Sequence, residues 1–311
     1  MKVIFVCGKG GVGKTAITAA LGSHYAANGG ALAISLDWSL SFKEHTGLPN
    51  LSSDTVLTPS GFYAMVLDRQ SVLDETIDHY FALKPFRKWI LNHPLYSSLS
   101  AVVPGLREIL LMDKIFHYAS QESRYPWQTV IVDMPSSGFS SNLFAATDTI
   151  SGIITHGPLH QRFKRNQEYL RDPSISKLFV VALPEETPIR ETREMILDFQ
   201  NRGEMAIDTL LVNQVPAEPL SDKTYNWLKT LSDNELQEIL TNVLKVDIDS
   251  RSMRNVAQIV QQRFQQANHH IQNLTNWWQE PVLKIPYFLS SKPQEISLLT
   301  AERLIEINYE G

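Results

Sequence analysis

The sequence predicts an α/β fold, a mainly parallel β-sheet with helices on both faces, and three observations predict it. Short apolar runs alternate with helical stretches along the chain. Those runs are apolar at nearly every position, as strands covered on both faces are, where a half-exposed strand would alternate. A glycine-rich segment, Gly8–Thr15, stands between the first apolar run and the first helical one.

The elements follow in order. Val3–Cys7 reads as the first strand. The next helix is expected to open near Lys14, because Ile17, Leu21 and Tyr25 recur at i, i+4 and i+8, and Gly29-Gly30 should stop it. Further strands are predicted at Ala31–Leu36, Phe62–Leu67, Thr129–Val132, Leu178–Ala182, Thr209–Val212 and Val282–Ile285. Three stretches, approximately 70–120, 143–170 and 221–279, are helical instead. The first carries Leu73, Ile77, Phe81 and Leu83, a break at Pro94, and then Ile109, Leu110, Leu111, Ile115 and Phe116. Thr187 is expected to cap a helix with Pro188 at its first position. We read all three stretches as insertions and coverings on one domain spanning 1–311. The Trp277-Trp278 and His269-His270 pairs read as packing or surface residues.

Composition narrows the function. One cysteine, Cys7, allows no intrachain disulfide and no multi-cysteine metal site, which points to a reducing, cytoplasmic setting. Cys7 itself reads as a small buried filler. The segment Met1–Cys7 is too short for a signal peptide, and no run approaches the roughly 20 apolar residues of a membrane span. A net charge of -5 gives no electrostatic case for nucleic acid. The basic group Arg162, Lys164 and Arg165 is expected on a solvated helix face.

The decisive segment is Gly8-Lys9-Gly10-Gly11-Val12-Gly13-Lys14-Thr15, which satisfies G-x-x-x-x-G-K-[ST] after a strand and before a helix. A polyphosphate needs many donors at close range. Gly10, Gly11 and Gly13 lack a Cβ, so backbone N–H groups can turn inward. Lys14 adds a positive charge for the β- and γ-phosphates, and the helix start adds its dipole. Thr15 offers a hydroxyl to Mg²⁺. Ala16, in the first turn of the helix, completes the expected contacts. Asp37 ends the second strand, where a carboxylate reaches the ligand crevice and could orient the attacking water. Val130-Ile131-Val132-Asp133 is an apolar strand closed by an acid, with Asp133 expected to hold Mg²⁺. Gly138 could supply an N–H that senses the γ-phosphate. Asn213 can donate and accept, which suits an adenine edge, and Pro286-Tyr287-Phe288 could border the base. The expected ligands are therefore ATP and Mg²⁺.

The second lysine, Lys9, gives the loop a closer resemblance. Gly-Lys-Gly-Gly-Val-Gly-Lys-Thr resembles the deviant phosphate loop of the arsenite-pump ATPases, the tail-anchored-protein-targeting ATPases, the division-site and partitioning ATPases and nitrogenase iron protein. The resemblance implies a P-loop NTPase that works as a homodimer, with Lys9 reaching the partner's nucleotide and neutralising transition-state charge. Gly61–Asp68, Pro104-Gly105-Leu106-Arg107-Glu108, Leu183–Thr192 and Val212-Asn213-Gln214 resemble the arsenite-pump and targeting branch in particular. Gly157-Pro158-Leu159 and Arg171-Asp172-Pro173 are similar to its compact bacterial members.

The departures are informative. Asp37-Trp38-Ser39-Leu40-Ser41 stands where the branch carries Asp-Pro-Ala-His before Ser-Leu-Ser. Asp133-Met134-Pro135-Ser136-Ser137-Gly138-Phe139 replaces Asp-Thr-Ala-Pro-Thr-Gly-His, so hydrolysis is expected to be slow or differently gated. One cysteine cannot build the branch's arsenite or zinc sites. The resemblance implies Mg-dependent ATP hydrolysis that drives capture and release of a hydrophobic or membrane-protein partner, with Leu73–Phe116 as apolar surface. Two alternatives are the ATPase subunit of an anion efflux pump and an ATP-sensing partner protein with little turnover.

Overall fold

The computed structural model describes residues 2–68, 72, 106–120, 125–135, 142–146, 158–202 and 205–306. Along the chain run β1 (Lys2–Gly8), α1 (Lys14–Ala26), β2 (Ala31–Ser35), α2 (Leu40–Thr46), β3 (Val56–Leu57), β4 (Tyr63–Val66), α3 (Leu106–Ala119) and β5 (Thr129–Asp133). Then come α4 (Pro158–Arg171), β6 (Ser176–Ala182), α5 (Glu186–Arg202), β7 (Ile207–Val215), α6 (Asp222–Thr230) and α7 (Asp233–Glu238). A π-helical turn (Ile239–Val243), α8 (Ser250–Trp278), β8 (Val282–Pro286) and α9 (Pro293–Glu306) complete the order.

The described strands form one sheet in the order β3-β4-β2-β5-β1-β6-β7-β8. Every neighbouring pair is parallel except β3 with β4. All seven predicted strands are present. β3 is an addition: two residues on the sheet edge, one of them Leu57 with its side chain in solvent, leave no readable run.

The continuous apolarity has a direct cause. In β1, Val3, Phe5 and Cys7 face one core layer while Ile4 and Val6 face the other. On the first face Phe5 meets Phe144 edge-on, and α3, α5 and the end of α8 supply Ile115, Phe199 and Ile271. The second face is closed by α1, α2 and α9 through Leu21, Phe42 and Leu304. Each such side chain contributes about 1.5–3 kcal/mol by leaving water.

The helix α1 is more deeply buried than a single stripe. Ala16, Thr18, Ala19, Ala20 and Gly22 are covered along with Ile17, Leu21 and Tyr25, because α9 packs over the side that a stripe would leave wet. A Cβ at Gly22 would stand 2.8 Å from the Phe62 ring, so the small residue permits the close approach.

Three expectations change. The stretch 221–279 is not one helical run: Ser221, Ser232 and Asp249 each accept an N–H and start a new helix, and 244–249 is non-helical. The α5 helix begins at Glu186, so Thr187 lies inside its first turn and Pro188 takes a position whose missing N–H costs nothing. Arg162 is not merely solvated, since it pairs with Asp113 at 2.6 Å between α4 and α3. Of the stretch 70–120, Ile109, Leu110, Leu111, Ile115 and Phe116 are core residues. Leu73, Ile77, Phe81, Leu83 and Pro94 lie outside the described residues.

Candidate functional site

The chain reverses its lateral direction beside β1. From β1 it moves to β2 and returns to β5 on one side, then crosses to β6 on the other. In open parallel sheets a crevice forms at the carboxyl ends of the strands flanking such a point. Gly8 ends β1 there, and 9–13 loop into α1.

The loop has packed and open parts. Val12 is sunk into the second core and carries the loop's weight against the sheet. A Cβ on Gly8 would stand 2.5 Å from the Val181 carbonyl, so β6 lies directly against the entry. Gly13 caps α1 in the left-handed region at φ 91°, with no side-chain acceptor for the first-turn N–H groups. Around the Cβ positions of Gly10 and Gly11 nothing lies within 4 Å. The backbone at Gly10 and Gly11 is thus open beside an uncapped helix N-terminus.

The charges are arranged around it. Lys14 Nζ donates to the Lys9 carbonyl at 2.9 Å and so lies back across the loop. Burial holds its pKa below the ordinary lysine value, against the opposing pull of Asp133. Thr15 Oγ1 donates to Asp133 Oδ2 at 2.8 Å. Burial pushes the Asp133 carboxyl up to about 6, opposed by the Thr15 bond and Lys14 and reinforced by Asp37. Oδ1 of Asp133 is buried without a hydrogen-bond partner of ordinary geometry, as is the Thr18 hydroxyl. A hydroxyl and a carboxylate side by side, with the Thr18 hydroxyl near enough to favour the ionised carboxylate, form the hard oxygen set that Mg²⁺ prefers.

Asp37 sits in a bend just past β2 and is exposed, with Ser35 Oγ donating to its carbonyl at 2.8 Å. It is close enough for its charge to act on Asp133. Asn213 is buried near the end of β7, and its Nδ2 donates to the Val12 carbonyl at 3.0 Å. The loop after β8 is tied to the same strand, Tyr287 N donating to Val215 O at 2.8 Å. Pro286 ends β8 and Phe288 packs half-buried on the second core. A cleft of about 650 Å³ opens between these carboxyl ends and α8, lined by Pro184, Glu185, Gln214, Arg263, His270 and Tyr287.

A family model for anion-transporting ATPases matches residues 1–156 and 155–251. The chain belongs to that family. Among its relatives, ATPase BagA of Mycobacterium tuberculosis is 25% identical over 227 residues, covering 70% of this chain and 66% of its own length. "Putative arsenical pump-driving ATPase 1" of Aquifex aeolicus is 24% identical over 274 residues, covering 74% of this chain and 67% of its own. The chain therefore spans just under two thirds of the mycobacterial relative.

In this member of the anion-transporting ATPase family, the loop Gly8–Ala16, Asp133 and Asn213 come together, with Asp37 at the rim. Gly138 lies outside the described residues. Pro286 and Phe288 flank Tyr287 on the side of the cleft. Sequence reasoning missed two features. The spacing of Arg263, Gln266, Ala267 and His270 marks one face of α8, and that spacing could have flagged the cleft wall. The Asn213–Val12 bond had no sequence signal.

Proposed function

We propose that this chain binds Mg·ATP in the loop Gly8–Ala16 and hydrolyses it, using the nucleotide to switch a homodimer. The observation that carries the reading is the Thr15–Asp133 oxygen pair, 2.8 Å apart at the end of a loop whose backbone is open at Gly10 and Gly11. Lys14 exchanges the Lys9 carbonyl for phosphate oxygens, which restores the partners that burial denies its charge. First-turn N–H groups of α1 take the remaining oxygens. Mg²⁺, held by Thr15 and Asp133, supplies charge neutralisation to the departing phosphate. Asp37 orients the attacking water. Lys9, whose ammonium makes no ion pair among the described residues, serves the partner subunit's nucleotide. The amide Oδ1 of Asn213 and the residues Pro286 and Phe288 border the base, and Gly138 senses the γ-phosphate.

Calorimetry and single-turnover hydrolysis test this. Lys14→Ala is expected to weaken binding by about a hundredfold or more and to abolish hydrolysis. Lys9→Ala is expected to spare binding and slow hydrolysis, and equal loss of both rules out the action across the dimer. Sedimentation with and without ATP tests the dimer.

The role we assign to the switch is capture and release of a hydrophobic or membrane-protein partner. Since Ile109–Phe116 is core, its apolar surface rests on residues 73–105, which lie outside the described residues. Nucleotide-independent peptide capture counts against it. A second reading, nucleotide sensing with little turnover, draws on the exposure of Asp37. Failure to complete one turnover favours it. The Aquifex relative's name suggests a pump subunit, for which the single cysteine gives no thiolate cluster. Arsenite-stimulated hydrolysis would favour that role.

A further inference from the structure

We propose that Asn213 is a positioning residue for the phosphate loop, acting on the nucleotide through the Val12 carbonyl and not chiefly through the base. This rests on the reading of Gly8–Thr15 as the nucleotide site.

The bond starts from β7. Its pairing with β8 is regular from Leu210 to Val212 and then slips before Val215. Within the slip Gln214 is left-handed at φ 56°. The slip adds one residue to β7, so the regular pairing ends next to Asn213. Asn213 follows Leu211 by two residues and so shares its face of the sheet, the second core layer in which Val12 lies, and it is buried there with its Nδ2 on the Val12 carbonyl at 3.0 Å. A carbonyl only accepts, so the nitrogen must be the atom that faces it. The contact extends to the next residue, because a Cβ built on Gly13 would land on the same nitrogen.

The peptide between Val12 and Gly13 converts that bond into an effect on phosphate. A trans peptide is planar, and its C=O and N–H point in opposite directions. Fixing the Val12 carbonyl toward β7 therefore aims the Gly13 N–H away from β7. Gly13 is also the N-cap of α1, so the bond sets the direction of the helix start that presents its free N–H groups. Without Asn213, a buried carbonyl loses its partner and the peptide is free to rotate on its glycine side.

A base contact and a loop clamp predict different things for a ligand that has no base. Magnesium tripolyphosphate is that ligand. The affinities of Mg·ATP and Mg·tripolyphosphate are measured by calorimetry for the wild type, Asn213→Asp and Asn213→Ala, with thermal melts alongside. Asn213→Asp keeps the volume and replaces the donor by an oxygen that repels the Val12 carbonyl. Asn213→Ala removes the group outright, so one variant serves if the other does not fold. Tripolyphosphate is expected to weaken by about tenfold or more, and ATP by at least the same factor. Loss of ATP affinity with tripolyphosphate unchanged overturns the proposal in favour of a base contact. A lowered melting temperature with both affinities unchanged overturns it in favour of a purely structural role. Absence of both ligands from the wild type is a separate result that removes the phosphate-loop reading as well.

Discussion

The phosphate loop and the helices beyond β7 are held by different means. The loop is pinned from several sides: Val12 in the core, β6 against Gly8, Asn213 on the Val12 carbonyl and Thr15 on Asp133. The helices α6, α7 and the start of α8 share a small core of their own, Leu228, Leu236, Leu240 and Ala257, separate from both sheet layers. Around it Trp227, Val243, Leu244, Val246, Val256 and Ile259 stand exposed. The loop is built on the sheet, between the two core layers that cover it. A region with little core of its own is free to open locally at low cost.

The largest effect that separates them is on binding. Lys14→Ala is expected to weaken Mg·ATP by about a hundredfold or more, since charge-assisted bonds are worth about 1.5–3 kcal/mol each. Leu240→Ala, far from the loop in sequence and packed only in the small core, is expected to leave that affinity unchanged. Calorimetry on both variants decides, and a shared loss of affinity would join the two regions that the packing divides.

The next effect is on stability. Leu21→Ala empties a site between α1 and the sheet and is expected to cost about 2–5 kcal/mol of global stability. Leu240→Ala is expected to raise hydrogen exchange in α6 to α8 while the amides of β1 and β5 keep their protection. Uniform acceleration would make the whole chain one cooperative unit.

A third effect is confined to the loop side and follows pH. The Asp133 carboxyl is raised from 3.8 to about 6, chiefly by burial. A carboxyl with a raised folded pKa holds its proton more tightly in the folded chain. The stability it adds is complete below pH about 4 and is lost as pH rises to about 6, an effect of up to roughly 3 kcal/mol. Without nucleotide or metal, the wild type should thus lose stability relative to Asp133→Asn as pH climbs through that window. Urea titrations at several pH values measure this, and a flat difference contradicts it. Mg·ATP should reverse the slope, because the metal takes the ionised form.

What could be read from the sequence follows the same division. Strands buried on both faces announce themselves by continuous apolarity, and all seven such runs lie in the sheet. The loop chemistry is local, so Gly8–Thr15 specified its own place between β1 and α1. Long-range aim was not legible. Asn213 bonds Val12 across 201 residues of chain, and only the stacking of β1, β6 and β7 side by side brings the two together. The breaks in 221–279 were written in Ser221, Ser232 and Asp249, but the apolar periodicity on either side masks them.

Those caps give the smallest effect and the finest test of the comparison. Ser232 accepts from the Glu235 N–H at 3.3 Å, and Glu235 returns a bond to the Ser232 N–H at 2.7 Å. Both groups are exposed, so the pair fixes where α7 starts without adding to any core. Ser232→Ala is expected to cost about 1 kcal/mol, the ordinary worth of an N-cap. If the region beyond β7 opens on its own, that cost is felt as faster exchange in α7 with the midpoint of global unfolding unmoved. If the midpoint shifts by the full amount, the helices unfold only together with the sheet, and the separation of the two regions is one of packing and not of stability.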